Sequence, residues 1–193
     1  MAISFPLALH LDDKPCLVVG SDVEARDRAA ALRDAGALVE IIAQTPCPEL
    51  VELAATRSVR LEQREFSPDD LNGKWLAVLV DRNNELGARL AALCDDRRIL
   101  FCAVDQQQKN SFSHMALVRR GVITIAISTM GRVPALGRRL REELERVFDE
   151  SGLAAFADRL AALRDATPPE KRRTVLGEVT RAVRFEGRLK LEP

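Results

Sequence analysis

The segment of this sequence best suited to binding a ligand is a glycine loop near the amino terminus. Gly20 follows the apolar run Pro15–Val19, and the six residues from Gly20 to Ala25 begin with glycine and end with a small residue, as dinucleotide-binding loops do. Asp22, however, occupies the middle position, where glycine lets the backbone approach a pyrophosphate. Because a carboxylate adds bulk and negative charge there, the sequence predicts weak dinucleotide binding.

The same loop is also consistent with a capped helix that binds no phosphate. Ser21 and Glu24 have the Ser-x-x-Glu spacing of a capping box, in which two side chains satisfy free N–H groups at a helix start. The residue pattern leaves both hypotheses open. In the first, Gly20, Ser21, Asp22 and Val23 contact a cofactor, and in the second they only begin a helix.

Residues that usually bind transition metals are few. The four cysteines include no Cys-x-x-Cys pair, and the two histidines are His10 and His114. We therefore expect no structural zinc site, which needs four closely arranged cysteine or histidine ligands. Cys16, Cys94 and Cys102 lie within apolar patterns, which predicts buried, reduced thiols in a cytoplasmic protein.

The elements that position the glycine loop alternate between strand and helix. Short apolar runs rich in β-branched residues predict strands buried on both faces, and the segments between them predict helices. This pattern indicates a Rossmann-like α/β fold with a doubly wound parallel sheet, whose ligand lies beyond the carboxyl ends of the strands. The predicted strands are Pro15–Val19, Leu38–Ala43, Val59–Gln63, Trp75–Val80 and Ile99–Val104, and the predicted helices are 26–35, 48–56 and 84–96.

The pattern changes after Asp105. Two strands, 113–118 and 122–128, flank Arg119-Arg120-Gly121 and predict a hairpin. Amphipathic helices follow, the first from Pro134 to its end at Gly152 and the next two over Leu153–Ala166 and Glu170–Phe185. Both faces of the second strand are largely apolar, so we expect a homodimer that covers the hairpin and the first of these helices. The predicted organisation is a Rossmann-like domain over 1–112, a dimerisation hairpin and helix over 113–150, and a helical domain over 151–193.

Composition excludes several classes of protein. The 193 residues carry 29 Lys and Arg against 29 Asp and Glu, and there is no tyrosine, which argues against a nucleic-acid partner. No apolar run approaches the roughly 20 residues that span a bilayer, and the first eleven residues lack the basic region of a signal peptide. We therefore expect a cytoplasmic protein without a membrane partner.

Motifs in a fixed order extend over nearly the whole chain. Together they resemble the precorrin-2 dehydrogenase/sirohydrochlorin ferrochelatase family, the N-terminal module of siroheme synthase. Their order and spacing are specific in combination, although no single motif is decisive. They are Phe5-Pro6-Leu7-Ala8-Leu9, the glycine turn, Ala35-Gly36-Ala37, Ala103-Val104-Asp105, the stretch from Phe112 to Gly121, the stretch from Ile123 to Thr129, Gly131, Pro134-Ala135-Leu136 and the stretch from Arg138 to Leu144.

The resemblance implies an enzyme of siroheme biosynthesis. Such enzymes oxidise precorrin-2 to sirohydrochlorin with NAD, and some then insert ferrous iron, which is a substrate. Asp105 corresponds to the family's proposed acid/base residue, and a carboxylate at the end of a strand can accept the protons that both steps release. The alternative for Asp105 is a cap in the following loop.

The resemblance also implies binding residues. Asp81 lies in the segment that corresponds to the family's residues near the nicotinamide. The carboxylate-rich tetrapyrrole needs several donors, and guanidinium groups bind carboxylates in a fork. The alternative for the arginines is pairing with Glu142, Glu143 and Glu145, and the alternative for the histidine is a structural hydrogen bond. The candidates are His114, Ser128, Arg119, Arg120, Arg132, Arg138 and Arg139.

Departures from the family pattern leave three functions open. Asp22 and Ser21 replace glycines of the loop, Met130 replaces a glycine, and Val133 stands where a serine usually caps the next helix. The first function is NAD-dependent precorrin-2 dehydrogenase, with or without iron insertion. The second is a member without dehydrogenase activity that acts as a chelatase or binds a tetrapyrrole. The third is a dimeric interaction protein without catalysis.

Overall fold

The computed structural model describes residues 5–106 and 110–186. The chain divides between His114 and Met115 into two compact units. The first contains a parallel sheet with its helices, and the second contains a hairpin and three helices. The three-part organisation predicted from the sequence stays a prediction.

The first unit is built on a five-stranded parallel sheet. Its strands follow the order β3-β2-β1-β4-β5, so the direction of winding reverses between β1 and β4. This is the doubly wound α/β fold that the alternating pattern predicts. The strands are β1 (Pro15–Val19), β2 (Leu38–Ile42), β3 (Val59–Glu62), β4 (Leu76–Leu79) and β5 (Leu100–Ala103), and the helices are α1 (Val23–Asp34), α2 (Pro48–Ala54) and α3 (Asn84–Asp96), with a 3-10 turn over Pro68–Leu71.

Alternate side chains of the strands build two separate apolar cores. Val18 and Val78 belong to the core on the side of α1 and α2, whereas Leu17 and Leu79 belong to the core on the side of α3. All four residues of β4 are buried, because helices cover both faces of the sheet. The continuous apolar runs in the sequence follow directly from this two-sided burial.

The open edge of β5 is closed by side chains. The Asn110 side chain accepts from Ala103 N at 2.7 Å and donates to Ala103 O at 2.9 Å. Ser111 Oγ accepts from Phe101 N at 2.7 Å, while Ser111 N donates to Phe101 O at 2.9 Å. These contacts replace a neighbouring strand, so the polar groups of this edge are satisfied.

The second unit begins with an antiparallel hairpin, β6 (Ala116–Arg120) and β7 (Ile123–Ile127). Arg120 pairs with Ile123, and Gly121 has φ 55°, the left-handed conformation that a two-residue turn needs. The prediction that Arg119 and Arg120 form the turn is therefore wrong, because the turn is Gly121-Val122 and both arginines belong to β6. The helices that follow are α4 (Pro134–Ser151), α5 (Leu153–Ala166) and α6 (Pro169–Thr180).

Much apolar surface of the second unit is open to solvent in the single chain. Gly137 is the buried residue of α4, and Val118 is the buried residue of the hairpin. Val122 is 69% exposed and Leu136 is 46% exposed. Within residues 5–106 and 110–186, no helix combines the length and the apolar character needed to cross a membrane.

Candidate active site

The candidate site lies at the carboxyl edge of the parallel sheet. The ladder of main-chain hydrogen bonds continues one residue beyond three strands, through Gly20 N to Ile42 O (3.1 Å), Val80 N to Val19 O (2.7 Å) and Val104 N to Leu79 O (2.9 Å). The loops after β1, β4 and β5 therefore leave the sheet at the same edge. Because winding reverses between β1 and β4, this is the edge at which doubly wound sheets bind ligands.

Gly20 is required by close packing at this edge. A Cβ atom at this position would lie 2.7 Å from the main-chain oxygen of Val80 and 3.0 Å from Cβ of Ala25. The end of β1 thus approaches both the end of β4 and the start of α1 more closely than a side chain permits. This is the role that the first glycine of a dinucleotide-binding loop has.

Asp22 caps the helix that follows the loop. Its Oδ1 accepts from Ala25 N at 2.9 Å, and its extended backbone makes it the N-cap of α1. The capping box expected from Ser21 and Glu24 is wrong. The Ser21 main-chain oxygen accepts from Cys47 N at 2.8 Å, and Glu24 pairs with an Arg28 nitrogen at 2.8 Å. Asp22 provides the cap because it is the last residue before the helix, in reach of the third helical N–H.

This cap bears on whether the loop fits a dinucleotide. The pyrophosphate of such a cofactor binds through N–H groups at the start of the helix. Here the carboxylate of Asp22 already accepts from one of them, and Glu24 adds a second acidic side chain in the first turn. In this conformation the loop does not fit an anionic pyrophosphate, although Gly20 does fit the approach of β1 to α1.

The loop after β4 contains the second candidate, Asp81. Its exposed carboxylate accepts from Asn83 N at 2.7 Å. Asn83 in turn caps α3, since its Oδ1 accepts from the main-chain nitrogens of Glu85 (3.0 Å) and Leu86 (3.1 Å). Two successive side-chain hydrogen bonds, from Asn83 N to Asp81 and from the start of α3 to Asn83, thus hold Asp81 at the same edge of the sheet as the glycine loop.

Asp105 lies in the turn that follows β5. Its side chain is exposed, and its φ of 63° is in the left-handed region. Gln106 N donates to Ala103 O at 3.3 Å and closes the turn. An exposed carboxylate at this edge is free to meet a substrate and to accept a proton from it. No hydrogen bond to the Asp105 carboxylate is found among residues 5–106 and 110–186.

His114 ends the first unit. Its ring meets that of Phe112 edge-on, with centroids 5.4 Å apart. The residue keeps an exposed surface, but partial desolvation of its ring and the nearby Arg28 guanidinium both lower the pKa of the imidazole. A neutral imidazole is a poor counter-ion for substrate carboxylates, so the histidine is better suited to accepting a hydrogen bond.

The candidate substrate-binding residues of the second unit differ in their surroundings. Arg120 binds both carboxylate oxygens of Asp149, the second at 2.8 Å from its Nη2, and this contact raises the pKa of the guanidinium. Arg139 pairs with Glu143 and Glu142. Of the five candidate arginines, Arg119, Arg132 and Arg138 form no ion pair with residues that the structure describes.

Ser128 and Arg132 lie in one turn between β7 and α4. Ser128 Oγ accepts from Met130 N at 3.2 Å, and Arg132 N donates to Thr129 O at 3.0 Å. Met130 has φ 50° and Gly131 has φ 67°. The turn thus holds Met130 in a left-handed backbone conformation, where the sequence resemblance implies a glycine, and it contains both Ser128 and Arg132.

Three of the four cysteines are buried core thiols. Cys16, Cys94 and Cys102 are buried and unpaired, as expected from their apolar neighbours. Burial raises the pKa of each of these three thiols to about 11. In the part of the chain that the structure describes, no three His, Cys, Asp or Glu side chains gather as a metal site.

Sequence reasoning missed the residues that hold the loop of Asp105. Gln106 donates from its side chain to the main-chain oxygens of Asp81 (3.1 Å) and Asn83 (3.4 Å). Asn110, beyond the loop, is bound to Ala103 and to the sulfur of Cys102. The one available hint was a cluster of polar amides directly after an apolar strand.

Comparisons with known proteins agree with this geometry. A family model with the description "Putative NAD(P)-binding" matches residues 7–116, and the chain belongs to this family. It is the class of protein that the doubly wound sheet and its glycine loop define.

Curated proteins similar to this chain include siroheme synthases. The chain is 37% identical over 173 residues to siroheme synthase 3 of Aeromonas hydrophila subsp. hydrophila, covering 87% of this chain and 37% of that protein. It is 35% identical over 159 residues to siroheme synthase 1 of Aeromonas salmonicida, covering 81% and 34%. The chain therefore spans about a third of the length of these relatives. The family resemblance drawn from the sequence motifs is confirmed.

A solved structure shares the fold. SirC, described as a precorrin-2 dehydrogenase, has a TM-score of 0.76 to this chain at 22% identity, covering 93% of this chain and 90% of that one. The predicted fold class, with a hairpin and helices after the parallel sheet, is confirmed.

Proposed function

We propose that this chain acts in siroheme biosynthesis and oxidises precorrin-2 to sirohydrochlorin in the cytoplasm. The observation that carries the proposal is the position of Asp105, an exposed carboxylate in the turn after β5, at the ligand-binding edge of the sheet. The siroheme synthase relatives and the NAD(P)-binding family support it. The substrate is a tetrapyrrole, and the hydride acceptor is NAD(P).

Asp105 supplies the proton chemistry in this proposal. Oxidation removes a hydride from one C–H bond of the macrocycle and a proton from a second C–H or N–H bond. The electrons of the bond that loses the proton form the new double bond. A bound NAD(P) would supply the hydride acceptor, and the carboxylate of Asp105 accepts the proton. Arg119, Arg132 and Ser128 are candidates for binding the substrate's carboxylates, whereas Arg120 is already engaged by Asp149.

A second candidate function is favoured by the cap at Asp22. Because its carboxylate accepts from Ala25 N, a protein that keeps this cap binds NAD(P) weakly. Such a protein would insert ferrous iron into sirohydrochlorin or carry the tetrapyrrole without oxidising precorrin-2. Asp105 would then accept the protons that leave the pyrrole nitrogens as the metal enters. Iron is a substrate in this candidate function.

The test replaces Asp105 by asparagine and uses Asp13 as the matched control. Asp13 is also an exposed aspartate with a left-handed backbone, φ 57°, but it precedes β1 at the opposite edge of the sheet. Precorrin-2 oxidation and iron insertion are measured separately, by the absorbance of sirohydrochlorin and of siroheme. We expect Asp105→Asn to fold, to bind sirohydrochlorin normally and to lose about 100-fold in rate, the scale of a lost general base.

The outcomes separate the candidate functions. Loss of oxidation supports the dehydrogenase, and loss of iron insertion in a protein that never oxidises precorrin-2 supports the second function. Asp13→Asn should retain the parental rate in either case. A parental rate in Asp105→Asn would show that Asp105 transfers no proton, and the proposed mechanism would be wrong.

A further inference from the structure

Gln106 joins two loops at the carboxyl edge of the sheet. Its main-chain N closes the turn around Asp105, with Ala103 O as acceptor at 3.3 Å. Its side-chain Nε2 donates to the main-chain oxygens of Asp81 (3.1 Å) and Asn83 (3.4 Å) in the loop after β4. One residue therefore both shapes the turn of Asp105 and ties it to the neighbouring loop.

The loop after β4 is a firm anchor for this contact. The Asp81 carboxylate accepts from Asn83 N, and the Asn83 side chain caps α3 through two further main-chain donors. The Asn83 carbonyl also accepts the helical hydrogen bond from Gly87 N at 3.0 Å. Both oxygens that Gln106 uses thus belong to a segment that the start of α3 already fixes.

Gly87 on α3 provides the space for the Gln106 amide. A Cβ atom at residue 87 would lie 2.0 Å from Gln106 Oε1 and 2.8 Å from its Cδ, closer than nonbonded atoms approach. The Gln106 oxygen is buried against this glycine and has no hydrogen-bond partner among residues 5–106 and 110–186. Since glycine destabilises a helix interior relative to alanine, its presence at residue 87 calls for such a reason.

We propose that Gln106 is a positioning residue that holds Asp105 in its working conformation, and that Gly87 is needed to admit the Gln106 amide. The proposal rests on the proposed function of Asp105. The left-handed backbone of Asp105 is unfavourable for a residue with a side chain and persists where its surroundings hold it. The contacts of Gln106 with Asp81 and Asn83 supply this restraint.

The test uses four variants of the full chain: Gln106→Ala, Gly87→Ala, the double variant and Gly177→Ala. The first removes the amide, and the second displaces it without altering the loop. Gly177 is the matched control, because it also lies in a helix and a Cβ there would meet nothing within 4 Å. For each variant, kcat and KM are measured for whichever of the two reactions the protein performs.

We expect each single variant at the contact to lower kcat by about 10- to 100-fold with little change in KM, since a small misplacement of a reacting group has this effect. In the Gln106→Ala background, adding Gly87→Ala should not lower kcat further, because no amide remains to displace. It should raise Tm there by about 2–4 °C, as alanine favours the helix. Gly177→Ala should raise Tm similarly and retain the parental kcat.

Hydrogen exchange measures the restraint independently of catalysis. Peptides that cover β5 and its turn should exchange faster in Gln106→Ala and in Gly87→Ala, but not in Gly177→Ala. Parental kcat and exchange in both single variants would overturn the proposal, as would losses that multiply in the double variant. If only Asp105→Asn lost activity, the positioning role alone would fail. If Asp105→Asn stayed active, the proposed function would fail, and exchange would still decide whether Gln106 holds the turn.

Discussion

Substitutions at Asp22 separate two effects that one carboxylate combines. The side chain caps α1 through Ala25 N, and it places a negative charge where related folds bind a pyrophosphate. Asp22→Asn keeps a good cap and removes the charge. Asp22→Ala removes the cap and the charge, and Asp22→Gly removes both and also lets the backbone approach a ligand.

The expected gain in affinity for NAD has two contributions. Giving up the bond from Ala25 N costs about 1 kcal/mol, the usual contribution of an N-cap. Two like charges about 4 Å apart repel by ~1 kcal/mol in water and ~4 kcal/mol at an effective dielectric of about 20. Because Asp22 is exposed, a repulsion of ~1–2 kcal/mol is appropriate. The sum, ~2–3 kcal/mol, corresponds to about 30- to 150-fold in Kd.

The assay is calorimetric titration of each variant with NAD. Asp22→Gly should bind about 30- to 150-fold more tightly than the parental chain, and Asp22→Asn about 5- to 30-fold more tightly. The gain of Asp22→Asn should shrink at 1 M salt, because only the charge differs. Asp22→Ala should lower the free energy of unfolding by about 1 kcal/mol, which checks that the cap contributes as assumed.

Two results would refute this reasoning. If the parental chain bound NAD as tightly as Asp22→Gly, the loop would release its cap at no cost. If Asp22→Asn gained nothing while Asp22→Gly gained the full amount, the obstacle would be the cap or the Cβ and not the charge, and the affinity of Asp22→Ala would separate these two. Tight binding by the parental chain would also favour the dehydrogenase over the second candidate function.

Three further predictions concern the rest of the chain. We expect light scattering to show a homodimer with a mass of about twice 21.4 kDa, because the exposed apolar residues of α4 and the hairpin need to be covered by a second subunit. Leu136→Glu should give a monomer. A monomer of the parental protein at micromolar concentration would exclude the dimer. Met130→Gly should raise the free energy of unfolding by about 1 kcal/mol by relieving a left-handed backbone, whereas Met130→Ala should not; equal effects would show that strain is absent. A thiol reagent at pH 8 should modify half-buried Cys47 first in the folded protein, because the other three cysteines are buried and burial raises the pKa of their thiols. Early reaction of Cys16, Cys94 or Cys102 would contradict their burial.

Local patterns were sufficient to predict most of the architecture. The strand Pro15–Val19 and the helices Asn84–Asp96 and Leu153–Ala166 have the bounds that the sequence predicts. Proline, glycine and capping residues mark these ends within a few positions of the element itself. The last helix is the exception, since it ends at Thr180 and not at Phe185. The fold class followed because runs buried on both faces occur chiefly in parallel sheets.

The site depended on contacts that a linear pattern does not contain. Ser21 and Asp22 both have plausible capping positions, and only the start of α1 decided that Asp22 accepts from Ala25 N. The predicted strand before Asp105 was enough to locate this residue at the sheet edge, but the sequence did not predict its left-handed backbone. The contact between Gln106 and Gly87 joins the turn after β5 to the helix before it. Periodicity records which side chains face the core, whereas polar contacts between loops arise only when folding brings separate segments together.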